Sequence, residues 1–188
     1  MGHREDLLEG AKRCLMEKGW RTTARDIVAE SGTNLASIGY HYGSKDALLR
    51  AAMFAAMEDW GDEVETALRR EVRPGASLGE RFESGWNLAS ELFAKHQGLW
   101  RAEFEAIMRS DTDPQMRAAF AKAEPEGRAG LVALFNGVPE EELSEDDIRV
   151  FGSFYMTLVG GMVAQMVLDP ESAPKGKDIV EAIRRLAA

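Results

Sequence analysis

The chain has 188 residues, 45% hydrophobic and 29% charged, ordinary values for a soluble globular protein with one full core and a small satellite domain. Its single cysteine, Cys14, excludes an internal disulfide, and the 32 acidic against 23 basic residues argue against nucleic acid as a partner of the chain taken as a whole. No stretch reaches about eighteen uninterrupted apolar residues, and the opening "MGHREDLLEG" lacks an apolar signal core, so a cytoplasmic protein with no membrane segment is expected.

Charge is unevenly placed. Residues 1–50 hold eight basic residues (Arg4, Lys12, Arg13, Lys18, Arg21, Arg25, Lys45, Arg50) and seven acidic ones, a net of +1. The remainder holds fifteen basic and twenty-five acidic residues, a net of −10. The first fifty residues are thus neutral enough to approach phosphate, while the rest would be repelled by it.

Taken in chain order, the elements read as helices. Leu7, Leu8, Ala11, Leu15 and Met16 recur at helical spacing up to Gly19. Thr23, with Asp26 three residues on, resembles a capping box opening a short helix that ends at Gly32. Thr33 or Asn34 can cap a second short helix running to about Tyr42. From Ser44 a long helix carries an apolar stripe from Leu48 to Leu68, and "RPGAS" breaks it. Helices follow over about 78–95, 98–109 and 114–135, the last expected to be disturbed at Pro125. Ser144 and Asp147 cap a strongly apolar helix through Leu168, and a last helix covers about 177–186. No segment reads as strand. The expectation is an all-α protein of about nine helices, with an N-terminal three-helix helix-turn-helix (HTH) domain at 1–48 and a larger C-terminal helical bundle at 49–188.

The two short helices around Gly32 make a helix-turn-helix, whose second helix enters the DNA major groove while the first crosses the backbone. Small or polar residues on the leading face let a helix backbone approach base edges. Asn34, Leu35, Ala36 and Ser37 suit base contacts: Asn can pair bidentately with adenine, and Ala or Leu can meet a thymine methyl. Tyr40, His41 and Lys45 suit phosphate contacts, and the Thr23 hydroxyl with the amides at its helix start suits a phosphate seat. His41 lacks companions at ligand spacing, so no metal is expected.

The stretch "TTARDIVAESGTNLASIGYHYGSKDALLRAAM", Thr22 to Met53, resembles the tetracycline-repressor (TetR) family of bacterial one-component regulators. It has the threonine opening the second helix, Ile-Val-Ala, a glycine turn, a recognition helix closing in Tyr-His-aromatic, and Gly-Ser-Lys leading into a leucine-rich helix. Gly39 and Tyr42, where Phe is commoner, depart from the pattern. The resemblance implies a homodimer on a near-palindromic double-stranded DNA operator and a C-terminal domain whose ligand alters DNA affinity.

For dimerisation, Phe151, Phe154, Tyr155, Leu158, Met162 and Met166 form one face, beside a Gly160-Gly161 pair that permits close approach; the alternative is burial within one subunit. For sensing, Trp86, Trp100, Phe104, Ile107 and Met108 suit either an adaptable pocket for a small apolar or amphipathic ligand or simply a core. Glu103 falls inside that apolar stripe, where a carboxylate must be paired or protonated. Arg81 or Arg117 could pair with it, or a cationic ligand could. Coupling is expected through the long helix from Ser44, with Gly61 as a bend.

Enzyme chemistry finds no support: there is no phosphate loop after a strand and no nucleophile set, and no cofactor is expected. The expected function is a ligand-responsive transcriptional regulator, a repressor. The alternative is a helical protein–protein interaction module, which would present a large apolar anchor on the recognition helix, where only Leu35 is offered.

Overall fold

The computed structural model describes residues 2–73 and 75–186, and among them there is no strand. Helices α1 (His3–Lys18), α2 (Ala24–Ser31), α3 (Leu35–Tyr42), α4 (Lys45–Glu71), α5 (Leu78–Lys95), α6 (Gln97–Arg109), α7 (Pro114–Asn136), α8 (Glu145–Leu168) and α9 (Gly176–Leu186) follow in order. The all-α expectation holds.

The residues up to Asp59 and His96–Ala119 form one compact unit; Trp60–Lys95 and the residues from Phe120 onward form a second. This division groups α6 with the helix-turn-helix and splits α4 and α7 between the units. Neither long helix is interrupted: α4 continues through Gly61, and α7 through the exposed Pro125. Pro125 lacks only its own amide donor, and solvent can satisfy the carbonyl it leaves.

In the first unit, Leu7, Ala11, Leu15, Ile27, Ile38, Leu48, Leu49, Ala52 and Met53 form the core around which α1–α4 pack. Helix α6 lies against α1 with Gly98 facing the Met16 carbonyl, so close that a Cβ there would meet backbone. The Trp20 indole N–H, in the turn Gly19–Arg21, donates to the Ala102 carbonyl of α6 at 2.7 Å. Arg109, at the end of α6, places its guanidinium 5.4 Å from the Trp20 ring centroid. Lys12 is buried and pairs with Glu9 at 2.8 Å and with Asp59, joining α1 to α4.

In the second unit, the rings of Phe82, Phe135 and Tyr155 pack at centroid distances of 4.9–5.7 Å. The Tyr155 hydroxyl donates to Asn136 Oδ1 at 2.6 Å, and burial pushes its phenol up to about 12. Helix α8 contains a π-helical turn at Ile148–Gly152, where Gly152 lets the helix close on the Arg128 backbone. A regular helical pattern does not announce such a turn. By length and composition alone, α8 is the one described helix apolar enough to cross a membrane. The mean is high because Val, Leu, Met, Phe and Ala dominate the helix, although Ser, Thr, Gly and Gln interrupt them, so that no eighteen residues are uninterruptedly apolar.

Candidate functional site

The recognition surface expected from the sequence begins at the α2 N-terminus. Thr23 adopts extended backbone, its hydroxyl accepts from the Asp26 amide at 3.2 Å, and the Asp26 carboxylate accepts from the Thr23 amide at 2.8 Å. This is the capping box expected from the sequence, and it alters the reading of Thr23. The positive end of α2 already holds a carboxylate of its own chain, further fixed by the Lys18 ammonium at 2.7 Å. The Lys18 ammonium, followed by the Thr23 hydroxyl and amide, holds Asp26 well below the usual carboxylate range. A phosphate reaching this end would meet that charge, and the Thr23 hydroxyl would reach it while still holding the Asp26 amide.

On α3 the expected contact residues stay together. Leu35, Ala36 and Tyr40 are exposed, Tyr40 to 86%, while Ser37 and His41 are partly covered. Ile38 alone points into the core. Asn34 Oδ1 accepts from the Ser37 amide at 3.1 Å, capping α3 and leaving the side-chain amide nitrogen as the group free to reach a base. Bidentate pairing with adenine would require breaking that cap. The Tyr40 and His41 rings meet edge to face at 4.8 Å, which orients both outward-facing side chains together. The Lys45 ammonium donates to the Thr22 carbonyl at 3.2 Å and lies 3.0 Å from Asp46. Lys45 therefore ties α4 to the turn before α2.

Gly39 is exposed, and a Cβ there would meet nothing within 4 Å. Gly39→Ala is accordingly expected to stabilise the fold by about 1 kcal/mol through helix propensity, read as a shift in the urea midpoint. A fall in stability would mean that the glycine answers a constraint within the chain.

The sensor residues divide. Trp86 lies in the second unit's core, its ring beside Phe82 at 5.8 Å and its N–H donating to the Pro174 carbonyl at 2.9 Å. Trp100, Glu103, Phe104, Ile107 and Met108 lie on α6 in the first unit. Trp100 is buried, Phe104 is partly covered, and Ile107 and Met108 are exposed, Met108 to 73%. Of the expected lining set, Trp86 thus belongs to the second unit and the others to the first, where Ile107 and Met108 face outward.

Glu103 is partly covered, and among the described residues its carboxylate makes no hydrogen bond or ion pair. Arg81 donates instead to the Leu134 carbonyl, and Arg117 to the carbonyls of Ser110 and Asp111. Burial pushes the Glu103 carboxyl up to about 7. An open groove of about 380 Å³ lies elsewhere, between α4 and α5, lined by Asp62, Glu63, Glu91, Arg70, Leu88 and Leu92 among others. None of the sequence-selected sensor residues lines it. No cluster of metal-binding side chains occurs among the described residues.

On α8 the expected dimer face is mixed. Tyr155 and Met162 are buried in their own unit, Leu158 and Met166 are partly covered, and Phe151 and Phe154 are exposed. Gly160 and Gly161 are exposed with nothing near them. Sequence reading missed Val167 and Leu168 on α8 and Ile183 and Leu186 on α9, all exposed. The strong amphipathicity of α9 was the available signal.

Residues 7–52 match the family described as bacterial regulatory proteins, tetR family. No curated protein matches the chain. Among solved structures, a transcriptional regulator from Rhodococcus sp. Rha1 is similar over 96% of this chain and 94% of its own, at 17% identity and a TM-score of 0.63. A TetR transcription regulator from Haloarcula marismortui ATCC 43049 is similar over 98% and 94%, at 20% identity and 0.64. The multidrug binding protein EbrR, complexed with proflavin, is similar over 98% and 99%, at 23% identity and 0.62. The N-terminal match and the shared fold lead to one conclusion: residues 7–52 are similar to the N-terminal domain of the tetR family of bacterial regulatory proteins, and the chain shares the all-helical fold of solved transcriptional regulators.

Proposed function

We propose that the protein is a homodimeric repressor that binds a near-palindromic operator and is released by a small amphipathic ligand carrying a positive charge. The observation that carries the DNA side is α3 itself: a short helix with a small, uncharged leading face, flanked by exposed Tyr40 and by His41. A single helix of this length makes few base contacts, so two copies about one helical turn apart, roughly 34 Å, supply the specificity. The exposed Phe151, Phe154, Leu168 and Ile183 support pairing through α8 and α9.

The ligand side rests on Glu103. An apolar setting with an unpaired carboxylate favours a ligand that brings both aromatic surface and a cation. EbrR, a protein of similar fold, is described as multidrug binding and in complex with proflavin, which is consistent with this class. Helix α6 offers a shorter coupling route than α4. A ligand held by Glu103 would shift α6, and the Trp20–Ala102 hydrogen bond and the Gly98–Met16 contact would pass the shift to α1 and the turn before α2. Coupling of this kind is reciprocal: DNA must weaken ligand binding by the factor by which ligand weakens DNA binding.

Fluorescence-anisotropy binding to a duplex selected from a random pool, over a salt series, tests the DNA side. The Tyr40→Phe/His41→Ala variant is expected to lose affinity by a similar factor on every sequence, as loss of phosphate contacts requires. A loss confined to the selected duplex would make these residues base readers. No loss on any duplex would remove them from the interface.

A further inference from the structure

We propose that Arg4, outside the helix-turn-helix, is a DNA-phosphate contact held in place by Tyr42 of the recognition helix. The inference rests on the regulator reading above and extends its footprint to the start of α1. It starts from how the basic residues of the first fifty are used. Lys12, Arg13, Lys18 and Lys45 each have a carboxylate within 3.0 Å. Arg50 donates to Gln115. Among the described residues Arg4, Arg21 and Arg25 form no ion pair, and all three are exposed. The near-neutral balance of the segment therefore hides a division. About half of its cations are neutralised on the spot, and the others keep their full charge toward solvent.

Arg4 differs from the other two in being positioned. The Tyr42 hydroxyl, at the last residue of α3, donates to the Arg4 carbonyl at 2.9 Å, and the Arg4 guanidinium stands 5.8 Å from the Tyr42 ring centroid. Burial pushes the Tyr42 phenol up, so the hydroxyl keeps the proton that this bond requires. A guanidinium resting on a ring keeps its N–H edges free, and the ring reduces the rotamer freedom lost on binding. Glu5, the nearest acid in sequence, is turned to the Gly2 amide at 3.2 Å and leaves Arg4 alone. A planar cation with free donors, fixed to the end of the helix that faces DNA, fits a backbone phosphate, which it can engage bidentately. The position also gives a use to Tyr42, the residue that departs from the commoner Phe: the ring serves either way, but only the hydroxyl anchors the α1 backbone.

The test uses the full chain, the selected duplex, and anisotropy across a salt series. Removing one phosphate contact lowers the steepness of log affinity against log salt by about 0.9 and weakens binding at low salt by roughly tenfold. Arg4→Ala is expected to do both, and Arg4→Lys to keep most of the slope. Arg149→Ala, which removes one charge from an exposed pair on α8, is expected to leave the slope unchanged. An Arg4→Ala slope equal to that of the wild type, or an equal fall in Arg149→Ala, would overturn the contact. If the wild type binds the selected duplex specifically while Arg4→Ala is unchanged, only this proposal fails. If the wild type prefers no duplex, this proposal and the regulator reading fail together.

Discussion

Gly98→Ala is expected to be the most damaging single-methyl change in the first unit. The added Cβ would stand 2.1 Å from the Met16 carbonyl oxygen and 2.9 Å from its carbon. Both are backbone atoms in the last turns of α1, so no side-chain rotation relieves the contact. Either α6 withdraws from α1 or one helix distorts. Overpacking of this kind costs about 1–3 kcal/mol and occasionally more. Withdrawal would also strain the buried bond from the Trp20 indole to the Ala102 carbonyl, and a stranded buried donor adds about 1–3 kcal/mol. A total near 3 kcal/mol lowers the melting temperature by roughly 6–12 °C for a chain of this size. Circular dichroism melts of Gly98→Ala beside Gly39→Ala and Gly61→Ala check this, since the last two positions have nothing within 4 Å. A Gly98→Ala melt superimposing on those controls would show that α6 does not depend on the close approach.

Glu103→Gln is expected to change how stability depends on pH. The folded chain holds the Glu103 proton up to about pH 7, while in the unfolded chain the group ionises near its ordinary value of 4.5. Between those values the folded state binds more protons, so stability falls as pH rises through the window, and the loss is complete above pH 7. The full difference corresponds to about 3 kcal/mol, reduced to roughly 2 because the residue is only partly covered. Wild type and Glu103→Gln should therefore converge only below pH 4.5, and the variant should be the more stable by about 2 kcal/mol at pH 8. Urea unfolding at pH 5, 6, 7 and 8 reads this directly. Parallel curves at all four values would mean that the carboxyl finds a partner when it ionises. A cationic ligand reverses the cost, because it pairs with the ionised form. Its affinity should weaken as pH falls below 7, and the variant should lose that dependence.

The local features of the fold were legible because their causes are local. Thr23 with Asp26 and Ser144 with Asp147 form the capping boxes their spacing implies, and Asn34 caps α3. What was not legible depends on distant parts of the chain. Nothing near Gly98 in sequence indicates that α1 will press against it, so the membership of α6 in the helix-turn-helix unit could not be read. Trp86 and Trp100 look alike in sequence, yet they belong to different units. Helix α8 is apolar nearly all round, so its sequence carries no signal to separate inward Tyr155 and Met162 from outward Phe151 and Phe154. At the proposed DNA-facing surface the residue types were legible, but their prior engagements were not. Thr23 and Lys45 have intramolecular partners, while Arg4 is left open.

The central claim, that this chain is a sequence-specific DNA-binding regulator, is tested most directly by one ratio. It is the affinity for a duplex selected from a random pool divided by the affinity for a scrambled duplex of equal length, measured at one physiological salt concentration. The account predicts a ratio of about 10³ or more, with two chains bound per duplex. A ratio near one would contradict it and would leave α3, with its exposed Leu35, as a surface for another protein.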